Sequence, residues 1–125
     1  MTIELIRFAE PSDNAENFPS IHASLNAESA PDLGKIVFYL LNSKKIAFSG
    51  GISDLDILTP NSTRRLVGKD VRSDGRAVWR EGLAFYVAHH NLRLPQSFLE
   101  HGRAIGWIPP TTRESPAIME AVSRL

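Results

Sequence analysis

Cysteine is absent from this sequence. Its absence rules out disulfides and thiolate metal sites and argues against a small secreted fold held together by cross-links. Long apolar runs are missing as well. No stretch approaches the roughly 18 residues that a membrane-spanning helix needs. Met1 to Phe8 carries Glu4 and Arg7 and has no uninterrupted apolar segment of the kind that directs secretion. The expectation is a soluble cytoplasmic protein with no membrane partner, in which the Asn61-Ser62-Thr63 sequon has no consequence. A net charge is also lacking: 14 basic side chains balance 14 acidic ones. The balance hides a division, because residues 1–63 hold eight acids and four bases whereas residues 64–113 hold nine bases and four acids. Such a division fits an acidic partner for the second half, or attraction between the halves within the fold or across a dimer.

What is present is an ordinary globular composition, enough for a single α+β domain over residues 1–125 with one buried core. The most strongly patterned stretch is Asp74 to Asn91. Asp74 suits a helix N-cap and Asn91 a left-handed stop. At 100° per residue, Val78, Trp79, Gly82, Leu83, Phe85, Tyr86 and Val87 cover about half the circumference, and Ala77, Ala84 and Ala88 make a narrow second seam. Only Arg76, Arg80 and Glu81 are left for water. The spacing predicts one long helix, covered on more than one side, at the centre of the core.

Elsewhere, Thr2 to Phe8 alternates as a strand does. The polar tract Ala9 to Ala30 is long for an irregular loop, so a short strand near Ile21 to Leu25 is expected to interrupt it. Asp32 to Asn42 carries a helix start signal at Ser29-Pro31-Asp32, but its strand-favouring content leaves a strand as the alternative. Lys45 to Ser49 and Ile52 to Leu58 read as strands, and Arg64 to Val71 as a weaker one. Pro95 suits the first turn of a helix that runs to about His101 with Gly102 as its stop, and Ser115-Pro116 opens a last helix with Ile118, Val122 and Leu125 on one stripe. Strands in the first half and helices in the second predict an α+β fold: a small, mainly antiparallel sheet with the C-terminal helices on one face.

Three groups of residues carry candidate chemistry. The first is Arg64, Arg65, Lys69, Arg72, Arg76 and Arg80; on a helix, Arg76 and Arg80 stand one turn apart, suited to phosphate contacts with a nucleic acid. The second is the apolar set Trp107, Ile108, Ile118, Val122 and Leu125, which would make an interface with a partner or a second copy. The third is Asp54 and Asp56, on one face of a strand, where two carboxylates can hold a magnesium ion. The run Gly50-Gly51-Ile52-Ser53-Asp54-Leu55-Asp56 resembles the Gly-Gly followed by Asp-x-Asp of nucleotidyltransferases, with a shorter spacer than that family has. Gly106-Trp107-Ile108-Pro109-Pro110 resembles the wing entrance of MerR-type regulators, without their order of helices. His89, His90 and His101 with Glu100 make a weaker metal set, since adjacent helical residues point about 100° apart.

No cofactor motif is present, and no cofactor is expected. The residues are read as those of a binding or accessory protein that acts through protein–protein contact and self-associates as a homodimer. A nucleic-acid-binding protein is the alternative, and metal-dependent nucleotidyl or phosphoryl transfer at Asp54 and Asp56 the remote one.

Overall fold

The computed structural model describes residues 3–8, 18–48 and 69–125. In chain order its elements are β1 (Glu4–Leu5), a 3-10 turn (His22–Ser24), α1 (Leu33–Asn42), β2 (Lys44–Ala47), β3 (Val71–Ser73), β4 (Ala77–Arg80), α2 (Gly82–His90), α3 (Gln96–Ala104) and α4 (Pro116–Ser123). The strands form one sheet in the order β1-β4-β3-β2, with β1 parallel to β4 and the other pairs antiparallel. The fold is therefore α+β with a mainly antiparallel sheet, as the sequence predicts. Among the described residues no helix is long and apolar enough to cross a membrane.

The segment read as one long helix is instead a β-hairpin arm followed by a shorter helix. Asp74 is a turn residue, not a helix cap. Its Oδ1 accepts from the backbone N–H groups of Arg76 and Ala77, both at 2.9 Å, and its other oxygen accepts from the Tyr39 hydroxyl. Gly75 follows at φ +90°, a conformation closed to a helix and costly for any residue with a Cβ. Ser73 tightens the same turn, donating to the Ala77 carbonyl and accepting from the Gly75 amide. Ala77 to Arg80 then pairs with β3, in the register Val71 to Arg80, Arg72 to Trp79 and Ser73 to Val78. A run apolar on both sides satisfies a helical and an extended reading equally, and pairing between strands decides it. Helix α2 starts only after Glu81 and ends where expected, at Asn91 with φ 53°.

Alternation along β4 divides the interior. Ala77 and Trp79 join Ile36, Tyr39, Leu40, Leu83, Val87, Phe98 and Trp107 under α1, α2 and α3. Val78 faces the other way, with Ile3, Ile46 and Val71, onto Ile118 and Ala121 of α4. The helices were expected on one face; α4 covers the opposite one, because β4 is apolar on both sides and each side needs a lid. The sheet also draws β3 and β4 from the second half of the chain and not from the first half alone.

Residues 32–42 are helical. Ile36, Tyr39 and Leu40 are buried on one side of α1, and the Trp79 indole N–H donates to the Leu40 carbonyl at 3.0 Å. The strand expected at Ile21 to Leu25 is a single 3-10 turn. Its end makes an isolated bridge between Leu25 and Leu92, flanked by Asn26 N–H to Asn91 O and Arg93 N–H to Ser24 O. Helix α4 starts as predicted, with the Ser115 hydroxyl accepting from Ile118 N–H and Pro116 in the first turn.

Helix α3 runs past Gly102 and stops at Gly106. Gly106 is left-handed at φ 65°; its N–H reaches the Arg103 carbonyl, and Trp107 N–H reaches the Gly102 carbonyl at 2.8 Å. Those two bonds are the glycine-terminated helix end that satisfies the last free carbonyls. Gly102 serves a different purpose: a Cβ there would lie 1.9 Å from the Trp107 ring, so its bare α-carbon is the seat of the indole.

Candidate interaction surface

Among the described residues, Arg72, Arg76 and Arg80 of the basic series do not share a helical face. Arg72 lies on β3, where its Nη2 meets the Glu81 carboxylate at 2.7 Å and its Nη1 donates to the Ser43 carbonyl at 2.6 Å. Arg80 ends β4 and donates to the Lys69 carbonyl at 3.0 Å. Arg76 is exposed on the turn before β4. Four positions of extended chain separate Arg76 from Arg80, roughly 13 Å in place of one helical turn. The one-turn spacing that would set both guanidinium groups together on a helix is therefore absent. Arg64 and Arg65, with Asp54 and Asp56, lie outside the described residues.

Arg72 belongs to a network that closes the end of the sheet. Lys45 reaches Asp70 at 3.2 Å and Glu81 at 3.4 Å, so two bases neutralise two acids. The Asp70 carboxylate beside Lys45 holds the ammonium pKa above its ordinary value. Glu81 is buried at the start of α2, where a carboxylate is favoured by the helix dipole.

A second polar group ties helix to helix. Asp32, just before α1, receives Arg103 Nε at 3.1 Å and the Trp107 indole N–H at 2.7 Å. The Arg103 bond lowers the carboxyl pKa, against the opposing effect of burial. A third group is internal: Tyr39 hydroxyl on Asp74, with burial first and the carboxylate second raising the phenol's pKa. All three groups are internally satisfied, and no buried side-chain nitrogen or oxygen lacks a hydrogen-bond partner among the described residues. They tie one element to another.

Among the described residues no three His, Asp or Glu side chains converge on a metal position. His89 and His90 end α2 and lie against Phe85, at 4.5 and 5.9 Å between ring centroids.

The apolar set expected at the C-terminal end is divided between inside and outside. Trp107 and Ile118 are core residues, and Val122 and Leu125 pack on the α4 side of the sheet. Ile108 alone stays outside, 70% exposed. Sequence periodicity marks an apolar stripe but cannot say whether it meets its own sheet or another molecule.

The exposed apolar surface that sequence reasoning missed lies on α1 and just after β2. Phe38 is 56% exposed and Leu41 36%, while Phe48 is 76% exposed beside the Lys45 ammonium, 5.5 Å from the ring centroid. The signal was available: apart from the Tyr39 hydroxyl, Leu33 to Asn42 contains only Lys35 and Asn42 as polar side chains, so a helix there buries one side and leaves the other apolar. Between α1, α2 and α3 lies a small apolar recess of about 30 Å³, lined by Leu33, Ile36, Val87, Leu94 and Leu99 and by Asn91.

Comparison with protein-family models, with curated proteins and with solved structures finds no match.

Proposed function

We infer that this chain is a binding protein that works through protein–protein contact, self-association first, with no chemistry of its own. The observation that carries this reading is the outward apolar side of α1. A helix with Phe38 and Leu41 turned to water leaves a large aromatic and a large aliphatic side chain uncovered one turn apart, the kind of surface that marks an interaction site. The reading draws further support from the polar groups. Arg72 and Arg80 spend their donors on a carboxylate and on backbone carbonyls, which lowers their value as phosphate ligands. Zero net charge leaves two copies without mutual repulsion.

The test is sedimentation of the full chain from about 1 to 200 μM, a range set by the affinities of small interfaces. A mass that rises from 13.9 kDa toward twice that value is expected. A mass fixed at 13.9 kDa, together with salt-sensitive binding of labelled duplex DNA, would replace this reading with the nucleic-acid one.

A further inference from the structure

We propose that the second copy is held by antiparallel packing of α1 on α1 across a two-fold axis at Phe38. This rests on the self-association reading and names its surface. At 100° per residue from Leu33, the exposed residues Leu41, Gly34 and Phe38 fall within about 60° of one another, and Asn42 and Lys35 border them on one side. Gly34, Phe38 and Leu41 thus make one stripe at spacings of four and three, and that spacing lets two helices interdigitate.

Two features select a second copy as the occupant. The stripe is complementary to itself when reversed: with Phe38 on the axis, Leu41 of each helix falls against Gly34 of the other. At Gly34 a Cβ would meet nothing within 4 Å, so the position is open to receive a large side chain. An antiparallel pair also sets the helix dipoles head to tail. An isologous contact of this kind closes on itself as a dimer and does not propagate.

The contact is two turns of helix, smaller than the roughly 800 Å² per partner of a standard interface, so the dimer is weak and concentration-dependent. The decisive experiment compares the sedimentation of the full-length wild type with that of Phe38→Glu, Gly34→Lys, Phe48→Glu and Met119→Glu, each checked for folding by circular dichroism. Phe38→Glu is expected to raise the dissociation constant on the order of 100-fold, the effect of losing a central anchor. Gly34→Lys is expected to do the same while keeping the helix, since the substituent meets open space and lysine has better helix propensity than glycine. Phe48→Glu and Met119→Glu, exposed but off the stripe, are expected to dimerise as the wild type does.

A dimer that survives both stripe variants would overturn the α1 contact and leave self-association standing, with the copies seated elsewhere. Loss of the dimer in Phe48→Glu or Met119→Glu alone would do the same and would move the interface to β2 or α4. A wild type that is monomeric throughout would overturn both readings. If its melting temperature then fell in Phe38→Glu, the stripe would be covered within the chain itself.

Discussion

Replacing Gly102 with alanine tests the account of the core more sharply than any other single change. The added methyl would stand 1.9, 2.2 and 2.4 Å from three carbons of the Trp107 six-membered ring. A flexible side chain could move aside, but this indole is held on every side. It is 4% exposed, donates to Asp32 at 2.7 Å, and lies 5.3 Å from Tyr39 and 6.0 Å from Phe98 between ring centroids. Its backbone sits at φ 56°, which for a residue with a Cβ is tolerated only because surrounding contacts hold it there. Overpacking costs about 1–3 kcal/mol and loss of a hydrogen bond to a charged group about 1.5–3, against about 1 regained in helix propensity, so the net loss is about 1.5–5 kcal/mol. That is a large share of a typical total of roughly 5–15 kcal/mol. Urea unfolding followed by tryptophan fluorescence would measure it, with a red-shifted native spectrum as the indole is expelled. Gly34→Ala is the control, the same chemical change on a helix facing open space, and is expected to stabilise by up to about 1 kcal/mol. If Gly102→Ala were as stable as the wild type with its emission unmoved, the seat of Trp107 would not be where the structure puts it.

Two further perturbations address the polar groups. Arg72→Ala leaves Glu81, whose side chain is 6% exposed, to Lys45 alone at 3.4 Å and should cost about 1.5–3 kcal/mol by urea unfolding, whereas Arg72→Leu with Glu81→Leu together should recover most of it; equal loss in the single and double variants would sink the network argument. The lowered carboxyl pKa of Asp32 means that its tie to Arg103 and Trp107 contributes in full above the ordinary aspartate value of about 3.9 and is lost as pH falls below that through the lowered folded value. Urea midpoints between about pH 2.5 and 5 should therefore fall more steeply toward acid in the wild type than in Asp32→Asn, and parallel slopes would refute the assignment.

The elements that were legible in the sequence are those whose ends carry local chemistry. Ser115-Pro116 starts α4 because a hydroxyl at that position reaches the third amide beyond it. Asn91 ends α2 because asparagine tolerates the left-handed region. The start signal before Asp32 outweighed the strand-rich composition of α1. Reading failed where a local signal had two meanings. Asp74 accepts from the amides two and three residues on, which a helix cap and a turn both ask of an aspartate. Gly102 and Gly106 both looked able to stop a helix, and only the approach of Trp107 separates their purposes. Of the candidate site residues, Trp107 and Ile118 read as surface because an apolar stripe has no label for what it faces.

By itself the sequence determined the chemistry that this fold excludes and the composition of its parts: no disulfide, mixed helices and strands, a side-chain cap on α4, balanced charge. Those follow from side-chain type and from contacts within a few residues. Tertiary structure alone decided that Ala77 to Arg80 is a strand, that α4 lies across the sheet from the other helices, and that Arg72, Arg76 and Arg80 stand apart. It also decided which apolar residues remain outside. Each of these depends on which distant segment supplies the partner: β3 for the hydrogen bonds of β4, Glu81 for the charge of Arg72, Gly102 for the ring of Trp107. A pairing across many residues is fixed by the whole core at once, and leaves no mark at either end that can be read alone.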